Sequence, residues 1–546
     1  MTRALPAVLA LVVVLLGAGP ICLVVGRAFG GDANLAGVLG PLGETLLVSL
    51  LSAALALAVA VPAAWLLERT DAGSAGLGAL LYAPAVVPPY VLAVAWILLA
   101  NPRTGLAVRG LGLPLDVYSR AGMVLVLAST LYPLVLAQTR AALVGIDASL
   151  EEAARLSGAS PLVVLRDVTW PLVAPAALGA GVLAALQAAA SFGVPYLLAG
   201  QAHRPVLTTA IYEALGLGTP AGDGRAATGS LLLLAAAAVG LGGAAALARR
   251  ARVTVGARTQ RPAVVRLGRL LPLARLGLGT LAALAVLGPL VMLAATSLLR
   301  SFGRGFAWDN LSLEHWAGVL GQPRVRAAAG TSVLLAAGAA AIVALLGLIF
   351  CYAHKQMRSR RAARLASLLI ELPYAVPGTV LGLGLVMAFA KEVRVIVLDR
   401  VTIRMALLGT PWLLLIAYSV KELAVGVRAM DAALGRIDPA HLEAARVSGA
   451  SSARTLFDVV APLCRPALAA AFLLVFLPLL SEVTLSVLLV GPGTETLGTV
   501  LFELQSYADP AAAAVLATLL ALAVAALALL RHAALRALPE ARSWQG

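Results

Sequence analysis

The sequence predicts an all-α integral membrane protein of about twelve transmembrane helices, arranged as two parallel six-helix repeats. Three observations carry this. Of 546 residues, 61% are hydrophobic and 12% charged, against about 45–50% and about 25% in soluble domains. A water-soluble fold would have more oily surface than its core could hide. Apolar runs recur at the length a helix needs to cross a bilayer. A polar string, EEAARLSGAS at Glu151–Ser160, returns as LEAARVSGAS at Leu442–Ser451, 291 residues later.

A crossing takes about 20 mostly apolar residues. Such runs fall near 5–27, 44–67, 78–100, 121–142, 172–200 and 227–248, then near 270–297, 328–353, 366–390, 406–427, 463–490 and 510–531. Open sheets cannot substitute, because their edge amides would go unpaired in lipid. The first run, MTRALPAVLALVVVLLGAGPICLVVGRAF, is longer than the apolar core of a signal peptide and is read as a span.

Arginine and lysine set the orientation. The segment Arg249–Arg269 holds seven Arg and no acid, and His354–Arg364 holds five Arg or Lys and no acid, so both are expected in the cytoplasm. Gly491–Asp509 has no Lys or Arg and carries Glu495, Glu503 and Asp509, which places it outside. Arg103, Arg109 and Arg120 follow span three on the outer side, against the rule, and the stronger loops decide. Both termini then face the cytoplasm, and so do both polar strings, one after span four and one after span ten. The net charge of +15 does not indicate a nucleic-acid partner, because the basic residues lie between apolar runs and not along one face.

The repeat extends beyond the polar string. GIDASLEEAARLSGAS (Gly145–Ser160) lies over RIDPAHLEAARVSGAS (Arg436–Ser451) with ten of sixteen positions identical, and the match runs on without a gap to Pro171/Pro462 and Pro175/Pro466. YAPAVVPPYVLAVA (Tyr82–Ala95) resembles ELPYAVPGTVLGLG (Glu371–Gly384), and VLTTAIYEAL (Val206–Leu215) resembles TLGTVLFELQ (Thr496–Gln505). A unit with an even number of crossings repeats in parallel, with its pseudo-two-fold axis along the membrane normal. The expected layout is a first span and outer loop (1–40), a first repeat core (41–249), an Arg-rich cytoplasmic linker (250–269), a seventh span and outer loop (270–326), a second repeat core (327–532) and a cytoplasmic tail (533–546).

Each repeated loop starts with a helix signal. Asp147 and Asp438 can cap free amides, and Pro439 suits the first helical position. Glu151, Glu152 and Glu443 lie near the helix start, where negative charge complements the dipole. Ala153, Ala154, Ala444 and Ala445 give a narrow surface, and Gly158 and Gly449 allow a left-handed ending. A small helix at the bilayer surface can lie in a partner's groove. It can also simply connect two spans, but an idle surface loop drifts between duplicated copies.

At these residues the chain resembles the permease subunits of binding-protein-dependent ABC importers, with Glu-Ala-Ala at Glu152–Ala154 and Glu443–Ala445 followed by Gly158 and Gly449. The resemblance implies two type-1 transmembrane domains fused in one bacterial plasma-membrane protein. It implies that each loop is a coupling helix docking into an ATPase subunit, so two ATPase copies are expected, together with an extracytoplasmic solute-binding protein. Glu152 and Glu443 would touch the ATPase, and Gly158 and Gly449 would set the bend. One departure is the residue before the closing proline, often apolar in the family and here Trp170 and Ala461.

The chain shows no catalytic equipment of its own. None of its three lysines (Lys355, Lys391, Lys421) follows a glycine, so there is no phosphate-cradling G-x-x-x-x-G-K-[ST] loop. ATP and Mg are therefore expected to be used by the partner ATPase, and no cofactor is expected on this chain. Cys22, Cys351 and Cys464 and the five histidines show no metal spacing.

Candidates for the translocation path are the proline-rich starts of spans three and nine, Pro84 and Pro88, and Pro373, Pro377 and Gly378, where regular helix should break or kink. Glu482, inside LPLLSEVTLSVLL, is an intramembrane acid and so a functional candidate. It could equally be a structural acid bound to backbone. Its counterpart, if Ser481 matches Ser191, is Phe192. The fused layout and LPYAVPGTVLGLG (Leu372–Gly384) look most like ferric-iron importers, while thiamine, phosphonate and polyamine importers share similar strings. A secondary transporter would need buried ionisable groups for its coupling ion, and Glu482 is nearly alone.

Overall fold

The computed structural model describes residues 14–30, 35–109, 112, 114–202, 204–251, 264–301, 307–357, 359–391, 393–397, 401–506 and 509–537. Most of the Arg-rich linker, the start of the first span, His203 and the end of the tail lie outside the described residues.

The helices of the first half are α1 (Gly19–Ala28), α2 (Ala36–Arg69), α3 (Ala75–Tyr82), α4 (Pro89–Ala100), α5 (Arg120–Val144), α6 (Ala148–Leu156), α7 (Trp170–Ala190), α8 (Gly193–Ala202), α9 (Leu207–Gly216) and α10 (Pro220–Ala251). The second half runs α11 (Leu271–Ala282), α12 (Gly288–Ser297), α13 (Pro323–Lys355), α14 (Arg360–Ala375) and α15 (Gly378–Phe389). It continues through α16 (Pro411–Leu434), α17 (Pro439–Val447), α18 (Arg465–Leu480), α19 (Thr484–Leu489), α20 (Leu497–Ser506) and α21 (Pro510–Ala537). Among the described residues, seven continuous helical stretches are long and apolar enough to cross a membrane, and the count reaches ten if each of three bent pairs is one span. The short α1 with the turn before it and the 24-residue α16, which carries Lys421, Glu422, Arg428 and Asp431, lie at the expected first and tenth crossings. The helices expose Leu46, Leu50, Leu284, Val291, Leu334 and Leu345, an outer surface suited to lipid.

The ends of two expected crossings are corrected. The fifth stops at Ala190 and not near 200, and the eleventh stops at Leu480 and not near 490. The chain opens at Ser191–Phe192 and at Ser481–Val483 and starts a new short helix each time. One exception to all-helical structure is an antiparallel hairpin of β1 (Val393–Val397) and β2 (Val401–Met405), with Val395 opposite Ile403. Its β-branched residues suit a pleated surface.

The duplication is visible in the backbone. Four π-helical turns, Val14–Ala18, Leu165–Thr169, Ala283–Leu287 and Leu456–Val460, each end two residues before a proline: Pro20, Pro171, Pro289 and Pro462. Proline has no N–H for the carbonyl four residues earlier and its ring crowds that carbonyl. Widening the turn relieves both problems. Likewise Thr45 Oγ1 in α2 accepts the Leu207 N–H at the start of α9 (2.7 Å), and Ser332 Oγ in α13 accepts the Leu497 N–H at the start of α20 (2.8 Å).

The two halves exchange their first spans in part, since α1 also packs on α10 and the seventh span on α21. Ile21, Val24 and Ala28 of α1 share a core with Val380, Leu381, Leu383 and Leu385 of α15. A side chain at Gly384 would come within 2.7 Å of the Pro20 carbonyl oxygen, so glycine is what lets these backbones approach. Reciprocally, Leu278, Val286 and Leu293 of the seventh span join the core built around α4.

Candidate functional site

The two repeated loops fold alike. Asp147 Oδ1 accepts the Ser149 N–H (3.0 Å) to start α6, and Asp438 Oδ1 accepts the Ala440 N–H (2.9 Å) to start α17. At the other end, Gly158 N–H donates to Arg155 O (2.9 Å) and Ala159 N–H to Ala154 O (3.1 Å). Gly449 and Ala450 repeat these bonds to Arg446 O and Ala445 O, both at 3.0 Å. This double closure requires a left-handed residue, and φ is +85° at Gly158 and +74° at Gly449. Glu152, Ala153, Glu443 and Ala444 are exposed, Ala154 and Ala445 half-buried. An apolar side chain stands out at the same place in each loop, with Leu156 90% and Val447 89% exposed.

A side chain at Gly158 or Gly449 would meet nothing within 4 Å, so any penalty there is backbone strain alone. Left-handed backbone costs an ordinary residue about 1–2 kcal/mol, and asparagine tolerates it. Gly158→Val is therefore expected to raise hydrogen exchange across 155–160 by roughly tenfold, and Gly158→Asn is expected to leave it near wild type; Gly449 should behave the same way.

The loops differ in how they are held. Glu151 is 2% exposed; its Oε1 accepts from Arg69 Nε (3.1 Å) and from Thr169 Oγ1 (2.8 Å). Arg69, 3% exposed at the end of α2, also donates to the Leu143 carbonyl (2.7 Å). In the second loop Leu442 and Val460 stand where Glu151 and Thr169 do, and α17 has no buried residue. Sequence reading placed Glu151 at the helix start and missed Arg69. The only available signal was an arginine closing an apolar run.

The proline-rich segments are sharp breaks, not ordinary kinks. α3 with the turn after it meets α4 at 99°, and α14 meets α15 at 100°. Pro84 and Pro373 are buried before each break, and Pro88 and Pro377 lie at the breaks themselves. Extended backbone is forced on the residue before a proline, and Val376 has ψ 135°. Each break frees carbonyls that need donors. In the first half Tyr132 Oη donates to Leu81 O (2.7 Å). In the second, Lys421 Nζ donates to Pro373 O (3.4 Å), Tyr374 O (3.2 Å) and Val376 O.

Gly378 faces Thr484 at the start of α19. Just before it, the Glu482 carboxylate accepts the Leu485 N–H (2.8 Å), the Ser486 N–H (3.0 Å) and the Ser486 hydroxyl (2.9 Å). Glu482 is thus a helix cap, and Tyr418 extends the network to Ser486 at 2.6 Å. Phe192, at the matching place in the first half, instead lies in a cluster of rings with Tyr196, Tyr212 and Phe502. Among the described residues no group of three His, Cys, Asp or Glu side chains could hold a metal.

The chain is similar in sequence to known proteins. The Sinorhizobium fredii protein named "Probable ABC transporter permease protein y4fN" is 31% identical over 385 residues, covering 69% of this chain and 65% of that protein. The "Ferric transport system permease protein FbpB" of Actinobacillus pleuropneumoniae is 27% identical over 363 residues, covering 65% of this chain and 49% of that protein. This chain therefore spans about half to two thirds of the length of these relatives. The "Molybdenum transport system permease protein ModB" of Escherichia coli (strain K12) is 32% identical over 228 residues, 40% of this chain and 97% of ModB. Residues 56–253 and 344–542 each match one protein family, twice over as the internal repeat requires. The chain belongs to the family of binding-protein-dependent transport system inner membrane components.

Proposed function

We propose that this chain is the membrane permease of an ATP-driven importer. It forms the passage for a solute that an extracytoplasmic binding protein delivers, and ATP is hydrolysed with Mg by two copies of a partner ATPase. The observation that carries the reading is the pair of matching loops. With the bent pair of α14 and α15 and the helix α16 counted as crossings, six separate the loops and both project from one end of the bundle, the end that the arginine distribution favours as cytoplasmic. Each presents a capped helix, an exposed glutamate (Glu152, Glu443) and an exposed apolar tip (Leu156, Val447). Such a helix is the shape that a partner's groove receives. Closure of the two ATPase copies would move the loops together and switch the rigid halves between two states of access.

Iron(III) is the proposed solute. Two relatives named as ferric transport permeases match across 65% of this chain, more than one repeat, and so share its fused layout. Thiamine, a phosphonate or a polyamine is the alternative cargo, separated from iron by which solute the cognate binding protein retains. An ion-coupled secondary transporter is the competing class. It would need intramembrane acids for its coupling ion; Glu482 is occupied in capping α19, and Glu422 of α16 stands next to Lys421.

The test is the double variant Glu152→Lys with Glu443→Lys. Normal membrane insertion with at least a tenfold loss of co-purifying ATPase is expected, since two contacts reverse sign at an interface where like charges cost several kcal/mol. Unchanged co-purification and uptake would overturn the reading, as would uptake by the purified chain driven by an ion gradient alone.

A further inference from the structure

We infer that Arg69 and Glu151 form a buried latch that makes the first coupling loop a rigid lever and leaves the second compliant. The inference rests on the loops being the ATPase-docking elements. It concerns how they transmit force, not whether they dock.

The latch joins four segments at one point. Arg69 closes α2, Leu143 closes α5, Glu151 lies on the inward face of α6, and Thr169 lies in the π-turn that opens the fifth crossing. A push on α6 therefore reaches three crossings of the first half without passing through a flexible connection. The second half begins at the same place. Val265 N–H donates to Arg69 O (2.8 Å), Asp71 N–H to Val265 O (3.3 Å), and Leu267 N–H to Asp71 Oδ1 (3.0 Å). The chain entering the seventh span is thereby pinned to the residues just after Arg69.

No equivalent latch exists among the described residues of the second half. Leu442 replaces the acid and Val460 the hydroxyl. Near the end of α13, His354 turns away to the Ala363 carbonyl and Ser367 of α14 (both 3.1 Å). The caps and glycine bends of α6 and α17 are alike, so local helix stability does not distinguish the loops. What distinguishes them is a buried charge pair. Removing one member leaves the other charge buried and uncompensated, whereas replacing both with apolar residues of similar size is often tolerated. The double substitution therefore removes the latch without stranding a charge, and the response of the crossings to the ATPase separates a latch from a merely structural ion pair.

Hydrogen exchange on the intact permease–ATPase complex tests this without a transported solute. In the wild type, amides of 150–156 should exchange about tenfold more slowly than those of 441–447, because opening α6 must first break the latch. In Arg69→Leu with Glu151→Leu, which copies the leucine of the second loop, exchange at 150–156 should rise to the level of 441–447, with ATPase still bound. Trapping the ATPase with Mg-ATP and vanadate should then shift exchange in α5 and α7 at least fivefold less than in the wild type, with the response of α16 and α18 unchanged. Equal exchange of the two loops in the wild type would overturn the inference. So would a double variant whose α5 and α7 respond normally. Should the double variant not accumulate, the wild-type comparison decides. Failure of the wild-type chain to hold the ATPase would instead refute the docking reading, and the latch with it.

Discussion

Gly426→Leu is expected to abolish accumulation of the folded protein, and Gly347→Ala to lower its melting temperature in detergent. These residues sit where α13 and α16 cross. A β-carbon on Gly347 would lie 2.8 Å from the backbone carbon and 2.9 Å from the carbonyl oxygen of Gly426. One on Gly426 would lie 2.7 Å from the Val343 carbonyl oxygen. The Val343 Cγ1 atom, 2.5 Å from a β-carbon on Gly426, could rotate away, but the other obstructing atoms are backbone, so the helices must separate. Within a membrane there is little hydrophobic drive to restore the contact, because lipid tails are as apolar as the side chains. Overpacking commonly costs about 1–3 kcal/mol, and a whole leucine against backbone belongs at or beyond the top of that range. Quantifying the monodisperse species after detergent extraction checks the leucine variant, and a thermal melt checks the alanine. Wild-type behaviour of Gly426→Leu would mean that the two helices do not meet at this crossing.

Lys421→Leu is expected to destabilise the second half by about 2–4 kcal/mol, a balance of two opposed effects. An ammonium at membrane depth costs roughly 2.5–3.5 kcal/mol, which the leucine would recover. The ammonium, however, holds the Pro373, Tyr374 and Val376 carbonyls. Hydrogen bonds to a charged group are worth about 1.5–3 kcal/mol each, and carbonyls orphaned in lipid have no water to fall back on. The bonds win. Lys421→Arg keeps a donor and should recover part of the loss. Thermal melts of the three proteins give the ranking, and a Leu variant as stable as wild type would show that the broken ninth span needs no donor.

Periodicity and charge made most of this architecture legible. Twelve apolar runs marked the crossings, Pro88 and Pro377 marked the two sharp breaks, and Gly158 and Gly449 marked the left-handed bends. Signals of this kind are local, since proline and glycine act on their own backbone. What stayed hidden depends on neighbours far along the chain. Arg69 meets Glu151 across 82 positions, and Lys421 reaches carbonyls 45 to 48 positions away. The premature ends of the fifth and eleventh crossings were hidden for another reason. Apolar residues continue through Val194, Leu197 and Leu198, and through Leu485 and Leu489, so composition does not register the reversal. The strands at 393–397 and 401–405 are rich in β-branched residues, but each is too short to stand out beside the helices.

The exchanged first spans bear on how the polypeptide is made. Helix α1 leaves the ribosome on the order of 350 residues before α15, the surface it packs against; at about 5–20 residues per second that is a delay of roughly 20–70 s. In that interval α1 can pack on α10 of its own half, whose Ala226, Ala227 and Leu233 share its core, but the face that meets α15 has only lipid or an insertion factor for company. A nascent chain stalled before the ninth crossing therefore presents cellular quality control with a first helix covered on one side only, however well the rest of the first half has assembled.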